Sequence, residues 1–377
     1  MTPSQEQFAR ECRARFGAGA SRPGNSSVLT GIDLFSGPGG LTLGMKAAGI
    51  TPVMGVEVNK DAVATYLTHT PESDHRHADI RQIEFGEFEG KVDVVYGGPP
   101  CQPFSLGGRR QGQNDERDMV PQFVRAIAQV KPSAFVMENV PGLLSSRYKA
   151  YFDWLLTELE EAGFVCSWRI LKACDYGVPQ NRKRVFIVGM RGREFRFPVP
   201  THGKSPLLPH VASSRILGPD PIGEPAKSPV IYAPIVDLRP NPYHGHIYKG
   251  GGRPVDPNAP CQTIYASAGG NKTHWMDTEN IVPDYHAHLK RGGASRSGIV
   301  PGARRLSVEE SAIFQTFPPD LIFQGSRSSQ YTQVGDAVPP MLAQAIGEAL
   351  ATQLLGTEMG IAFMPKKPMQ RLLPGIR

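Results

Sequence analysis

The sequence predicts an α/β protein with a Rossmann-like, doubly wound sheet and a second, smaller and irregular domain. Short apolar runs rich in Val and Ile alternate with helical patterns through the first half of the chain. Such runs are typical of strands buried on both faces of a parallel sheet. Beyond about Gly192 this periodicity is largely lost, and Pro, Gly and His become frequent.

The alternation in the first half predicts the order of its elements. Predicted strands occupy residues 28–35, 52–58, 92–98, 134–140, 165–171 and 184–190. Helical patterns lie between them at 41–48, 62–68 and 148–162. The last helix is the clearest, because its apolar residues share one face and Gly163 follows as a stop. This order indicates a doubly wound sheet.

The second half of the chain has a different residue pattern. Frequent prolines in 196–300 exclude long helices there, yet enough apolar side chains remain to form a small core. Helical patterns return at 307–317 and 340–355, and Ser307 with Glu310 forms a predicted capping box.

Composition limits the class of protein. The 377 residues contain 41 Lys+Arg and 35 Asp+Glu, so the net charge is 41 − 35 = +6, which suits a polyanionic partner without proving one. The five cysteines include no Cys-x-x-Cys pair, so we expect no disulfide framework, no metal and a reducing cytoplasm. Residues 1–27 lack the apolar stretch of a signal peptide, and no run is long enough to span a membrane.

A Gly-rich turn at 33–41 follows the first predicted strand and precedes a helix, where a nucleotide can approach the backbone. Glu57 ends the next strand, a position that commonly binds ribose hydroxyls. Asp79, within residues 77–80, is interpreted as the end of a further strand that follows 52–58, and can accept a hydrogen bond from an adenine amino group. A tight turn without a ligand is the simpler alternative, and this pattern alone does not separate a dinucleotide from S-adenosylmethionine.

Cys101 lies in a Pro- and Gly-rich segment, 97–105, directly after a strand. A buried structural cysteine is the usual alternative for a lone thiol, but Pro and Gly on both sides disfavour regular packing here. The polar run 107–118 that follows is predicted to be an exposed, movable loop whose arginines contact a phosphate backbone.

Three further charged residues complete the candidate site. Glu138 ends another strand and faces the same crevice as Cys101, although a solvated strand-end acid is the alternative. Arg182 and Arg184 lie two residues apart at the start of a strand, so they share one face. Lys183, between them, is interpreted as part of a basic surface turn.

The ordered motifs resemble those of the bacterial DNA (cytosine-5) methyltransferase family over roughly residues 28–355. The matching segments are 35–40, 99–102, 138–140 and 180–184, together with Glu57 and Asp79. Residues 305–318 resemble the ninth motif of the family, and residues 333–340 resemble the tenth. One position departs from the family pattern: Asp336 stands where the family usually has Asn. We therefore expect backbone contacts or an orienting role at Asp336, without a side-chain contact to the cofactor.

The resemblance implies S-adenosylmethionine as methyl donor, S-adenosylhomocysteine as product, and no metal. Its implied catalytic residues are Cys101, Glu138, Arg182 and Arg184. Its implied cofactor-binding residues are Phe35, Gly37, Gly39, Gly40, Leu41, Glu57, Val58, Asp79, Ile80, Pro99, Ala337 and Val338. Candidate DNA contacts are Gln102, Ser105, Arg109, Arg110, Arg253, Thr263 and Lys272, although each of the last three is also consistent with an ordinary loop residue.

The chemistry implied by the resemblance needs these residue types. Addition of the Cys101 thiolate to C6 makes C5 of cytosine nucleophilic. Glu138 bonds N3 and the 4-amino group and shares a proton with N3, while Arg184 contacts O2. The cytosine must leave the base stack to react. The base that removes the C5 proton is not named by the sequence, and a bound water is the candidate.

The expected organisation follows from the motifs. Residues 1–27 form an N-terminal extension, 28–195 form the catalytic and cofactor-binding domain completed by 330–356, 196–329 form the target-recognition domain and hinge, and 357–377 form a loosely held tail. We expect a monomer with double-stranded DNA between the domains, in the nucleoid region of a bacterial cytoplasm. The expected role is modification in a restriction–modification system, paired with an endonuclease without stable contact, or solitary methylation.

Other functions remain open at this stage. An RNA cytosine methyltransferase is the nearest, but RNA-directed relatives have a shorter segment before the ninth motif. A catalytically silent DNA-binding regulator would keep the fold but not need the three residues Cys101, Glu138 and Arg184. A nicotinamide-dependent dehydrogenase shares only the Gly-rich turn and Glu57.

Overall fold

A seven-stranded sheet forms the centre of the protein. The computed structural model describes residues 3–17, 29–100, 118–218, 220–357 and 360–365. Strands of the first half are β1 (Leu29–Leu34), β2 (Ile50–Glu57), β3 (Asp74–His77), β4 (Val94–Gly97), β5 (Ala134–Asn139), β6 (Val165–Lys172), β7 (Gln180–Asn181) and β8 (Lys183–Met190). The sheet order is β3-β2-β1-β4-β5-β8-β6.

Six strands of this sheet run in the same direction, and β8, between β5 and β6, runs the opposite way. β1 to β5 pair in parallel, whereas β8 is antiparallel to both β5 and β6. The carboxyl ends of β1 to β5 therefore meet at one edge, where ligands bind in open α/β sheets. The predicted α/β fold class is confirmed.

Helices cover both faces of the sheet. The helices of the described residues are α1 (Pro3–Phe16), α2 (Gly40–Ala47), α3 (Lys60–His69), α4 (Val120–Val130), α5 (Lys149–Glu161), α6 (Ile281–Lys290), α7 (Val308–Phe314), α8 (Arg327–Asp336) and α9 (Pro340–Leu355), of which α6 packs away from the sheet. The predicted helices at 41–48, 62–68, 148–162, 307–317 and 340–355 correspond to α2, α3, α5, α7 and α9.

Alternate residues of each central strand pack against different helices. Val94 and Tyr96 of β4 belong to the core that includes α1, α2 and α9, whereas Val95 belongs to the core of α4 and α5. β5 repeats the pattern, with Ala134 on the first side and Phe135 on the second. This period of two produces a three-layer arrangement with the sheet in the middle.

The second half of the chain has an aromatic core of its own. β9 (Tyr232–Asp237) pairs antiparallel with β10 (His246–Tyr248), and β12 (Trp275–Asp277) with β13 (Ala303–Arg305). Residues from these strands and α6 form one buried cluster around Trp275 and Tyr285. β11 (Cys261–Gln262) instead pairs with β7, so this segment is also joined to the sheet domain.

Three features differ from the sequence prediction. α6 forms a ten-residue helix inside the Pro-rich segment, because its only proline, Pro283, lies in the first turn, where its missing N–H costs nothing. Neither α4 nor α8 was predicted as a helix. The predicted loose tail is wrong for residues 360–365, since the amides of Val199 and Met364 donate to the carbonyls of Ala362 and Phe197.

Two other predictions can be compared directly with the structure. Gly163 ends α5 with φ of 90°, as expected for a glycine stop. Ser307 and Glu310 form the predicted capping box at α7. Within the described ranges, no helix is both long and apolar enough to cross a membrane.

Helix α1 gives the N-terminal extension a structural role that the sequence did not indicate. Phe8, Cys12 and Phe16 are buried on one face and join the core that contains α2 and α9. Arg10, Arg13 and other charged residues occupy the opposite, exposed face. The helix therefore packs as part of the sheet domain.

We predict that Phe8→Ala destabilises the protein by about 3–5 kcal/mol, because it empties a buried site between α1 and the core. Urea unfolding followed by circular dichroism measures the change. Arg10→Ala, on the exposed face of the same helix, should stay within about 0.5 kcal/mol of wild type. Equal small effects of both variants would mean that α1 does not contribute to the core.

Candidate active site

The Gly-rich turn between β1 and α2 adopts an unusual backbone. Phe35, Gly37 and Gly39 have φ of 57°, 54° and 88°. A Cβ on Gly39 would lie 2.4 Å from His69 Cε1, and one on Gly40 would lie 2.3 Å from the Val338 carbonyl oxygen. A Cβ on Gly37 would meet nothing within 4 Å. Two glycines thus allow close packing within the protein, whereas Gly37 borders open space that a ligand can occupy.

Two carboxylates lie beside this turn, at the ends of neighbouring strands. Glu57 accepts hydrogen bonds from the amides of Gly37 (2.9 Å) and Asn59 (2.8 Å), one on each oxygen. Each oxygen keeps a lone pair for a ligand hydroxyl. Asp79 lies two residues beyond β3, which ends earlier than predicted, and accepts from the Arg81 amide at 2.9 Å. Val58, 67% exposed, adds an apolar surface next to Glu57.

Two histidines that the sequence analysis missed hold the turn in place. His69 Nε2 lies 2.7 Å from the Pro38 carbonyl oxygen, and His75 Nε2 lies 2.9 Å from the Ser36 hydroxyl. Burial lowers the pKa of both imidazoles to about 4, so both are neutral at pH 7. A neutral His69 that donates from Nε2 can accept at Nδ1 from Thr70, 2.9 Å away.

A buried polar group supports the turn from below. The Thr42 hydroxyl donates to Asp33 Oδ2 at 2.6 Å and lies 3.1 Å from the hydroxyls of both Tyr66 and Tyr96. Burial raises the pKa of Asp33 well above its usual value, with no cation among the causes of the shift. Asp33 is therefore best held as a neutral acid, and the network joins β1, α2, α3 and β4.

Glu138 and Arg184 form a nearly buried ion pair where β5 ends and β8 begins. Arg184 Nε lies 2.7 Å from Glu138 Oε1, and the two side chains are only 14% and 10% exposed. Burial raises the pKa of Glu138, while the charges of Arg184 and Arg182 oppose that rise. Glu138 is thus a carboxyl group that can take up a proton more readily than an exposed glutamate.

The segment that leads to Cys101 passes directly beside this pair. A Cβ on Gly98 would lie 3.1 Å from Glu138 Oε2, and Asn139 Nδ2 donates to the Pro99 carbonyl at 3.3 Å. Pro100 is the last described residue before the predicted nucleophile. The predicted residues Cys101, Gln102, Ser105, Arg109 and Arg110 lie outside the described residues, and their roles stay predictions.

Arg182 is fully buried, unlike the substrate-contacting residue that its motif suggested. Its Nη1 donates to the Ile264 carbonyl at 3.1 Å, and its Nη2 donates to the carbonyls of Gly335 at 2.8 Å and Asp336 at 3.3 Å. Burial lowers the pKa of Arg182, but a guanidinium starts so far above neutral that it stays charged. Lys183 is exposed, as interpreted from the sequence.

The tenth motif returns to the Gly-rich turn. Ala337 and Val338 are buried, and both lie against Gly40. Gln315 of the ninth motif donates from Nε2 to the Val334 carbonyl at 2.7 Å. The expected backbone role of Asp336 has a counterpart in its carbonyl, which accepts from Arg182, while its side chain is exposed.

Of the candidate DNA contacts in the described residues, two are held by hydrogen bonds. The Thr263 hydroxyl donates to the Asn181 carbonyl at 2.8 Å. The Arg253 amide donates to His274 Nδ1 at 2.9 Å, and its guanidinium remains partly exposed. Lys272 is exposed.

Comparison with known proteins identifies the family. A model described as C-5 cytosine-specific DNA methylase matches residues 29–352. The chain belongs to the C-5 cytosine-specific DNA methylase family. It is therefore a DNA cytosine-5 methyltransferase that acts on DNA with S-adenosylmethionine as methyl donor, and the predicted family is confirmed.

Curated relatives of this methylase include bacterial Type II methyltransferases. M.AplI of Arthrospira platensis is 33% identical over 354 residues, which cover 92% of this chain and 91% of the relative. M1.HphI of Haemophilus parahaemolyticus is 31% identical over 350 residues, covering 85% and 86%.

Solved structures share the fold. The S. pombe Dnmt2 methyltransferase has a TM-score of 0.63 at 16% identity, covering 87% of this chain and 100% of that one. The Entamoeba histolytica methyltransferase EhMeth has a TM-score of 0.61 at 16% identity, covering 87% and 99%.

The residues around the turn fit the methyl donor of this methylase. Open space above Gly37 can admit the ligand, and Glu57 offers free lone pairs for ribose hydroxyls. Exposed Val58 offers an apolar surface for a flat base. Asp79 already pairs with Arg81, so an adenine amino group would share that carboxylate.

We predict that stability falls as the pH drops from about 6.5 towards 4, partly because His69 must stay neutral in the fold. In the unfolded chain residue 69 takes up a proton near pH 6.5, whereas native His69 does so only near pH 4. Between these two pH values protonation therefore favours the unfolded state. His69→Gln should lose less stability over this range, measured by urea unfolding at pH 7 and pH 5. His244→Gln, at an exposed histidine, is the control and should keep the wild-type difference. If His69→Gln also keeps it, His69 does not carry the effect.

Proposed function

We propose that this methylase modifies one cytosine within a specific sequence of double-stranded DNA by covalent addition of Cys101 to C6. The observation that carries the proposal is the position of the Glu138–Arg184 pair, which lies beside the segment that enters Cys101. A nearly buried acid and guanidinium next to a strand-end nucleophile suit a flipped-out pyrimidine ring.

Residues of this chain perform the addition to the ring. The Cys101 thiolate forms a bond to C6 while Glu138 gives a proton to N3, so the ring gains no net negative charge. The raised pKa of Glu138 lets it hold that proton beforehand, and Arg184 stabilises O2. After C5 is methylated, a base, for which a bound water is the candidate, removes the C5 proton and the C6–S bond breaks. The thiolate of Cys101 is thereby restored, and N3 returns its proton to Glu138.

When bound, S-adenosylmethionine supplies an electrophilic methyl group on its sulfonium. Gly37 would border its methionine part, Glu57 would accept from the ribose, and Asp79 would accept from the adenine amino group. The remaining walls would come from Phe35, Gly39, Gly40, Leu41, Val58, Ile80, Pro99, Ala337 and Val338.

Arg182 has a positioning role in this scheme. Its hydrogen bonds to three backbone carbonyls hold the start of β8, and Arg184 follows two residues later. The structure gives Arg182 no free surface from which to touch a cytosine, so its effect passes through Arg184.

The target sequence is recognised by the irregular domain. Its separate aromatic core supports the proposed division into 28–195 with 330–356, and 196–329. DNA would lie between them, with Gln102, Ser105, Arg109 and Arg110 on one side and Arg253, Thr263 and Lys272 on the other. We further propose a monomeric, cytoplasmic enzyme paired with an endonuclease that it does not bind stably. The bacterial Type II methyltransferases among its relatives support the modification role.

We predict that Cys101→Ala lowers methyl transfer by more than about 10³-fold while DNA affinity stays near wild type, because only the covalent step is lost. Tritium transfer to DNA and a gel-shift assay measure the two. Cys166→Ser is the matched control and should keep activity. Duplex DNA with 5-fluorocytosine should form a covalent adduct with wild type only, since fluorine cannot leave as a proton. Wild-type rates in Cys101→Ala would refute the covalent scheme.

We also predict that Glu138→Gln lowers kcat by roughly 10²- to 10⁴-fold, because an amide cannot transfer a proton to N3. In the wild type, kcat should fall as the pH rises through the raised pKa of Glu138, since the protonated acid is the active form. Glu138→Gln should lack this limb of the pH profile. If Glu138→Gln had a low kcat but kept the fall of kcat at high pH, a group other than Glu138 would donate the proton to N3.

A further inference from the structure

An open pocket lies at the turn between β9 and β10, in the domain with the aromatic core. Its volume is 470 Å³, and it is lined by Arg239, Pro240, Asn241, His244 and His246. None of these residues was a candidate DNA contact in the sequence analysis. The lining is rich in hydrogen-bonding groups rather than in apolar side chains.

The two histidines of the pocket point away from the aromatic core. Tyr243 and Ile247 are buried in that core, whereas His244, in the turn before β10, and His246, the first residue of β10, are exposed. The pocket is therefore the outer surface of a packed element.

The arginine of the pocket is oriented by its neighbours. Arg239 Nε and Nη2 donate to Asp237 Oδ2 at 3.1 and 3.0 Å, yet the side chain remains 60% exposed. His286 Nε2 lies 2.6 Å from the Arg239 carbonyl oxygen. Because Asp237 occupies one side of the guanidinium, Nη1 and the free hydrogen of Nη2 are available in a defined direction.

Hydrogen bonds join this pocket to the catalytic strand by two routes. Gln262 Nε2 donates to the Tyr243 carbonyl at 3.2 Å, and Gln262 belongs to β11, which pairs with β7 directly before Arg182.

The second route runs through a buried histidine. His274 Nε2 lies 2.9 Å from the Thr263 carbonyl oxygen, and its Nδ1 accepts from the Arg253 amide. Arg253 Nη2 in turn lies 2.8 Å from His246 Nε2. Both routes connect the pocket to β7 and β11, directly before Arg182 and Arg184.

We propose that this pocket contacts base edges of the target sequence, with Arg239 donating to a guanine next to the methylated cytosine. The proposal rests on the proposed function, since it assumes that duplex DNA is bound across both domains. An oriented guanidinium matches the O6 and N7 acceptors of guanine in the major groove. The Asp237 carboxylate partly offsets the charge of Arg239 and so weakens its attraction to a phosphate, while the planar donor pair that suits a base edge stays in place.

The test compares Arg239→Ala and Arg239→Lys with wild type on a library of duplexes randomised around cytosine, read by bisulfite sequencing. Lys keeps the charge but loses the planar donor pair. Both variants should still methylate cytosine, yet lose roughly 5- to 150-fold discrimination at one G·C position. Lys227→Ala, an exposed lysine outside the pocket, is the control and should keep the wild-type motif. Thermal melting should show all variants folded, because Arg239 is exposed.

Two outcomes would overturn the proposal while leaving the proposed function intact. One is an unchanged motif in both Arg239 variants. The other is uniform weakening on every sequence in Arg239→Ala, with a salt slope smaller by about one and full rescue by Lys, which would indicate a phosphate contact. A wild-type enzyme that methylates no duplex would instead refute the proposed function, and this proposal with it.

Discussion

The buried guanidinium of Arg182 joins the segments on which the active site depends. A charge removed from water needs hydrogen-bond acceptors, and Arg182 Nη1 and Nη2 find them in the carbonyls of Ile264, Gly335 and Asp336, while its Nε has no hydrogen-bond partner among the described residues. The Ile264 carbonyl lies in the recognition segment, the proposed target-recognition region 196–329, and the carbonyls of Gly335 and Asp336 lie at the end of α8. The start of β8, the recognition segment and the tenth motif are thus held together by one side chain, which sets the direction of Arg184.

Two carboxyl groups at the same edge of the sheet face different electrostatic conditions. Asp33 is buried among hydroxyl groups and is best neutral. Glu138 is similarly removed from water but lies against Arg184, so burial and the neighbouring charge act on its pKa in opposite directions. Opposed influences of this kind leave a group able to gain and lose a proton, whereas an acid without a cation serves as a fixed hydrogen-bonding element.

Hydrogen bonds compensate for backbone strain in the cofactor turn, which is the Gly-rich turn between β1 and α2. Phe35 adopts a left-handed backbone that costs free energy for a residue with a Cβ, and Glu57, His69 and His75 supply hydrogen bonds that hold its neighbours. Hydrogen bonds continue from Arg182 and β11 to the pocket lined by Arg239. Hydrogen bonds thus join the residues proposed for catalysis to those proposed for sequence recognition, and the aromatic core packs behind the pocket.

The sequence by itself determined the α/β class and most strands of the sheet, because alternation and strand-end glycines or acids are local properties of burial and backbone dihedral angles. The strand order and the reversed direction of β8 came only from the structure. It placed Glu57 and Glu138 at strand ends and predicted the capping box at Ser307. Only the tertiary structure decided that His69 and His75 hold the cofactor turn, that Arg182 is buried, that α1 completes the core, and that residues 360–365 pack. These features depend on hydrogen bonds and contacts between residues far apart in the chain, and local pattern carries no information on which distant partner a side chain meets.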